Sequence, residues 1–204
     1  MADIIASRSK VQRTLMADFK SVTKSVSREH GNWFLSPITI TLGDEFQCVA
    51  RGLPESIRII FAIEDRIIKE GKGFKLKYVL VEGGIETPLN RKIAYEMMGP
   101  GLTKARESLQ ALKKSKACRF DFQLKNAKLA RGLNHAFFVY QTFVDAWKIE
   151  KDYYIVAQFL ESDDYKEVAE KLGKNKSLIW KREINLNIKP YKAIKNLITD
   201  ISDG

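Results

Sequence analysis

The chain has 204 residues, 45% of them hydrophobic and 29% charged, enough apolar material for one medium domain or two small ones and too much for a disordered chain. With only Cys48 and Cys118, no signal-peptide pattern, and a longest uncharged stretch (Gly132 to Val144) far below the roughly 20 apolar residues of a membrane span, it reads as cytoplasmic, without disulfides and without a membrane partner. Thirty-five Lys and Arg against 25 Asp and Glu give a formal charge of +10, which favours a polyanionic partner.

Ala2 to Ile5 reads as a short apolar strand. Val11, Leu15, Phe19, Val22 and Val26, spaced by three and four, predict an amphipathic helix ending before Gly31. Ile38, Ile40 and Leu42 alternate with threonines, and Phe46, Cys48 and Ala50 alternate with Gln47 and Val49, so a hairpin is expected with Gly43-Asp44 at or near its tip. Pro54 opens a helix with Ile57, Ile60, Phe61, Glu64, Ile67 and Ile68 on one face. A strand from Phe74 to Val81 follows, then a turn at Glu82-Gly83-Gly84 into a second short strand over Ile85 to Thr87. A helix with Leu102, Ala105, Leu109 and Leu112 inward leads to a last strand through Cys118, Phe120, Phe122 and Leu124. This order predicts an α+β fold over residues 1–124, a ferredoxin-like sandwich of helices on an antiparallel-containing sheet.

From residue 125 to 204 every pattern is helical, which predicts a second, all-α domain. Within it Tyr165 to Gly173 is a short helix closed by glycine, and Leu178 to Ile184 forms another after a four-residue connection. Ala169 and Gly173 permit the close crossing of a helix-turn-helix, spanning about residues 162–185. Eight basic residues between Lys171 and Lys195 face Glu183 alone, so Lys174, Lys176, Ser177, Trp180, Lys181 and Arg182 are the expected DNA-binding positions. A plain helical hairpin is the alternative, and Trp180 also fits core packing. A second basic run, nine residues between Lys104 and Arg131 against Glu107 and Asp121, reads equally as a solvated face.

Asp3 ends the first strand and Asp44-Glu45 sits on the hairpin. In a ferredoxin-like palm these positions bring carboxylates together over one face, and such a pair can hold Mg²⁺, which would bridge the phosphates of a nucleotide. Each also has a structural reading: Asp3 as the cap of the following turn, Gly43-Asp44 as hairpin chemistry. His30 and His135 lie far apart without ligand-spaced neighbours, so zinc is not expected.

The segments Ala2-Asp3-Ile4-Ile5-Ala6-Ser7-Arg8, Ile38-Thr39-Ile40-Thr41-Leu42-Gly43-Asp44-Glu45-Phe46-Gln47 and Gly99-Pro100-Gly101-Leu102 with Lys104-Ala105-Arg106, together with the helix-turn-helix, resemble the SatD family of bacterial proteins over nearly the whole chain. More distantly, the first part resembles the palm of class III nucleotidyl cyclases and diguanylate cyclases. That likeness implies metal ligation by Asp3 and Asp44, with Glu45 as an alternate, and a phosphate-stabilising role for Arg106. It also implies nucleotide- or phosphate-binding positions at Ser7, Arg8 and Gly43. Thr103 stands about where cyclases have a catalytic asparagine, which favours binding over turnover. Three functions are therefore expected in order: a nucleotide-sensing, DNA-binding regulator; a Mg²⁺-dependent nucleotidyl cyclase or nucleotidyltransferase with an accessory DNA-binding module; and a palm serving as a homodimerisation platform.

Overall fold

The alternating segments of the first half fold into five strands: β1 (Ala2–Ile4), β2 (Phe34–Ile40), β3 (Glu45–Ala50), β4 (Leu76–Val81) and β5 (Phe120–Gln123). The computed structural model describes residues 1–5 and 12–204. The strands form one mixed sheet in the order β2-β3-β1-β4-β5, antiparallel throughout except for the parallel β4–β5 pair. Between them run α1 (Gln12–Glu29), α2 (Leu53–Lys69) and α3 (Pro100–Lys114). Pro54 and Pro100 stand in the first turns of α2 and α3, where a missing N–H costs nothing. The protein is thus α+β, with helix predominating.

One expected element is absent: Ile85 to Thr87 is not a strand. Its backbone bonds instead to the far end of its own loop, Glu86 N donating to Met98 O at 2.8 Å. Loop residues 82–99 form a strap closed by glycines. A Cβ on Gly101 would lie 2.8 Å from the Gly83 carbonyl carbon and 2.9 Å from its Cα, and Gly101 N donates to Gly84 O at 3.0 Å. The Gly83-Gly84 and Gly99-Pro100-Gly101 motifs are thus the two halves of one backbone contact. The strap lies over β2 and β3, where Ala94 N donates to Thr39 Oγ1 and Ser36 Oγ donates to Asn90 O.

Pleating sends alternate side chains to opposite faces. Ala2, Ile4, Phe46, Leu76, Tyr78, Phe120 and Phe122 face α1, α2 and the C-terminal helices in the main apolar core, while Val79 meets Leu109 and Leu112 of α3 on the other side. Four segments meet at one buried charge cluster, the fourth being the end of the C-terminal half's first helix, where Asp145 lies 3.2 Å from Arg119 Nε. Arg119 Nη2 lies 2.9 Å from Glu64 Oε2, its Nη1 donates to Leu76 O at 2.9 Å, and Tyr78 Oη donates to Glu64 Oε1 at 2.9 Å.

The C-terminal half consists of α4 (Ala127–Ala146), α5 (Ile149–Phe159), α6 (Tyr165–Lys171), α7 (Lys176–Asn185) and α8 (Ile188–Asp203). Its apolar side chains join the sheet's core without a break: Phe137 stacks near Phe120 (4.7 Å between centroids) and Phe61 (5.6 Å), and Tyr191 packs against Tyr140 (5.5 Å) and Trp147 (4.8 Å). Helix α4 also covers the outer strand. Asn134 accepts from Phe122 N and donates to Phe122 O, and Gln141 accepts from Arg119 N and donates to Ala117 O. These two amides bond the edge as a neighbouring strand would. Among the described residues, no helix is long and apolar enough to cross a membrane.

The glycines of α3 and α4 make a matched test. Gly101→Ala, which forces a methyl into backbone, is expected to lower unfolding free energy by about 1–3 kcal/mol. Gly132→Ala, with nothing within 4 Å of the added carbon, is expected to raise it by about 0.5–1 kcal/mol. Urea midpoints of the two variants check both signs.

Candidate functional site

Two clusters carry the chemistry, one on the strap side of the sheet and one at the far end of the helical half. The first is fixed by strand register. Asp3 stands opposite Glu45 on β3 and opposite Lys77 on β4, so all three side chains point to the face that α3 covers. Ile4 N donates to Asp44 O and Thr41 N to Glu45 O, which anchors the hairpin end beside β1. Gly43, at φ +83°, makes the turn.

The last turn of α3 brings a cation to this pair. Lys113 Nζ lies 2.7 Å from Asp3 Oδ1 and 3.3 Å from Glu45 Oε2. Lys77, buried and within Coulombic reach of Asp3, donates to Leu112 O at 2.6 Å and Lys113 O at 3.2 Å, closing the C-terminus of α3. Burial raises the Asp3 pKa above the ordinary aspartate value; the Lys113 ammonium pulls it back in part, and Asp44 and Glu45 add to the rise. Desolvation works against the Lys113 charge, but Asp3 and Glu45 outweigh it and hold that pKa above the usual lysine value.

The expected metal positions thus divide. Asp3 and Glu45 are brought together, and Asp44 lies within Coulombic reach of Asp3. Among the described residues, no three His, Cys, Asp or Glu side chains converge into a group that would hold a metal by themselves. The test of fit is the Asp3 side chain: its Oδ1 is buried and already bonded by the Lys113 ammonium at 2.7 Å. Two adjacent carboxylates are of the donor type that Mg²⁺ takes, its shell completed by water and phosphate oxygens, but one oxygen of each is here engaged by Lys113. Asp3 and Glu45 would hold it.

Arg106 is exposed on α3, seven residues before Lys113 and hence on the same side of the helix about two turns away. Ser7 and Arg8 lie outside the described residues. Lys77 and Lys113 were missed in the sequence. The signal for Lys77 was a lysine at an inward position of an apolar strand; Lys113 was hidden in a basic run that reads as a solvated face.

The second cluster is built by α6 and α7. Asp164 caps α6 through Lys166 N at 2.8 Å, and Gly173, at φ +59°, ends it, with Lys174 N donating to Ala169 O at 2.9 Å. Asn175 then caps α7 through Ser177 N at 2.8 Å. Val168 and Ala169 are fully buried, and α7 buries Ile179 and Glu183. The opposite side of α7 carries Ser177, Trp180, Lys181 and Ile184 at helical spacing, with Trp180 45%, Ile184 53% and neighbouring Leu178 50% exposed. Lys174, Lys176 and Lys181 are exposed, and none has an ion-pair partner among the described residues. Arg182 differs: it is paired to Asp152, whose other oxygen accepts from Lys148 N at 2.8 Å, so it fastens α7 to the start of α5.

The chain matches the family model described as SatD family over residues 1–201 and belongs to that family. Neither the curated proteins nor the solved structures compared with it give a match.

The raised pKa of Asp3 sets a pH test. Between the unfolded value near 3.8 and the higher folded one, the native state binds more protons than the unfolded one, so this group's contribution makes stability fall as pH rises through that window. Asp3→Asn is therefore expected to be more stable than the parent at pH 7 and to lose that advantage near pH 4. Thermal melts across this range check it.

Proposed function

We propose that this SatD family protein is a DNA-binding regulator whose ferredoxin-like, cyclase-like palm, residues 1–124, senses a nucleotide and whose C-terminal helix-turn-helix contacts DNA. The observation that carries it is the outer side of α7. A helix buried through only Ile179 and Glu183 presents a row of polar and aromatic side chains flanked at its N-terminal end by lysines that have no acidic partner among the described residues. Helices α5, α6 and α7, of 11, 7 and 10 residues, have the lengths and the short glycine-containing turn of a helix-turn-helix, with α7 as the helix that enters the major groove. Ser177 and Trp180 face base edges, and Lys174, Lys176 and Lys181 contact phosphates. Arg182 has a different part: it holds the reading helix to α5.

For the palm, the strand order β2-β3-β1-β4 with two intervening helices on one face supports the ferredoxin-like reading. The adjacency of Asp3 and Glu45 supports a Mg²⁺-nucleotide site, with Asp44 adding negative charge and Arg106 on the same side of α3 offering a charge to phosphate. If the same site turns its ligand over, the protein is a Mg²⁺-dependent nucleotidyl cyclase or nucleotidyltransferase. Binding is favoured, because Thr103 replaces an asparagine and lies exposed in the first turn of α3.

DNA titrations over a range of salt test the first half. Each of Lys174→Ala, Lys176→Ala and Lys181→Ala is expected to flatten the log–log salt slope by about 0.9. Unchanged slopes in all three would reject α7 as the DNA helix. For the second half, nucleotide with Mg²⁺ at 100 times its Kd is expected to stabilise the parent by about 2.7 kcal/mol, and Asp44→Asn to weaken the Mg²⁺-dependent part while leaving the unliganded melt nearly unchanged. A thermal-shift series with and without EDTA reads both.

A further inference from the structure

Strand β1 is central in the sheet yet its shortest member, three residues between two strands of six. Its ladder places Ala2 opposite Phe46 on β3 and opposite Tyr78 on β4, and Met1 extends it by exchanging both backbone bonds with Val79 at 2.9 Å. Beyond Met1 the two neighbours run on, β3 to Ala50 and β4 to Val81. Alternation turns the backbone groups of Cys48 and Ala50 on β3, and of Val81 on β4, toward a gap that no strand of the ladder fills. The gap is a cavity of about 570 Å³, walled by Leu53 and Ile60 of α2 on one side of the sheet and by Leu102 and Ala105 of α3 on the other.

We propose that this gap receives the carboxyl-terminal end of a partner polypeptide, which enters as an extended strand in line with β1 and pairs with β3 and β4 together. The backbone edges favour a polypeptide, because a strand supplies N–H and C=O groups on both sides, whereas an apolar molecule would bury the edges unbonded. Its side chains are specified by the walls. Both are apolar, so the entering residues are apolar on both faces, as in a strand covered by helices on each side. Charge fixes direction and terminus. The Met1 ammonium stands at the inner end of the gap, where burial lowers its pKa against the opposing pull of Cys48 and Glu45. A strand running in the direction of β1 brings a terminal carboxylate against that ammonium, and the reverse direction would bring a second ammonium. The cavity includes neither Asp3 nor Glu45 nor any residue of α7, so this inference stands apart from the nucleotide and DNA readings.

The test uses the full chain and a fluorescein-labelled peptide ending in Ser-Val-Ile-Ala-Val with a free carboxylate, followed by fluorescence anisotropy. The acid is expected to bind at least about tenfold more tightly than the same peptide as its carboxamide, the usual effect of a hydrogen bond to a charged group. It is expected to bind more tightly by a similar factor than a version N-methylated at the isoleucine, which loses a ladder donor. Bound peptide is expected to slow alkylation of Cys48, which lines the cavity, and to leave that of Cys118, which does not, unchanged; this locates the site in the unaltered protein. No binding, an amide or N-methylated peptide that binds as tightly as the acid, or an unprotected Cys48 would each overturn the proposal. Protection of Cys48 by dodecanoate but not by the peptide would overturn it in favour of an aliphatic acid.

Discussion

The ion pair of Glu64 and Arg119 is the constraint around which the two halves of the chain are organised. Both side chains are about 4% exposed, and a charge left alone at that depth costs several kcal/mol. Burial therefore requires every partner to be present. Glu64 comes from α2, Tyr78 from β4, Arg119 from the residue before β5, and Asp145, 3.2 Å from Arg119 Nε, from the end of α4. Helix α4 cannot leave the sheet without exposing an aromatic surface and unbalancing this cluster together. The helical half is seated on the sheet as firmly as α2 is.

That seating gives the molecule two electrostatic ends with opposite habits. At the hairpin end of the sheet, acids and bases are matched inside the fold, and the cation in contact with the acids is Lys113. At the far end of the helices, Lys174, Lys176 and Lys181 are left to solvent, while Arg182, the base nearest the body of the protein, is consumed by Asp152. The net charge of +10 is thus unevenly available. It is neutralised where geometry matters and free where attraction at a distance matters. The charged groups at the first end are fixed by one another; the lysines at the second stand in solvent.

Much of this was legible in sequence where a local rule applied. The apolar spacing of α1, Pro54, the Gly43-Asp44 turn and the Gly173 stop each act within a few residues, and each landed within a residue or two of its place. Asp3 and Asp44-Glu45 were readable because strand alternation and a tight hairpin fix which carboxylates become neighbours. The failures share one cause, contact between segments distant in the chain. Ile85 to Thr87 has strand composition, yet Gly83 and Gly101 draw its loop into a strap, and nothing local reports that pairing. Lys113 lies 110 positions from Asp3 and looks like any lysine of a basic run. Arg182 sits at the spacing of a DNA-facing residue, and only the placement of Asp152 on a neighbouring helix turns it inward.

The covering of β5 by Asn134 and Gln141 rests on a numerical match between two kinds of secondary structure. Seven residues of helix rise about 10.5 Å, and the three residues of strand from Arg119 to Phe122 span about 10 Å, so two amides two turns apart meet backbone groups three residues apart. The fit tolerates changes of side chain elsewhere on α4 but not changes of length between these positions. Inserting or deleting one residue there would rotate one amide by roughly 100°, uncover a strand edge, and turn a chain that bonds only to itself into one with an open place for a foreign strand. The seven-residue interval between Asn134 and Gln141 is thus a constraint on the length of α4 that its apolar pattern does not express.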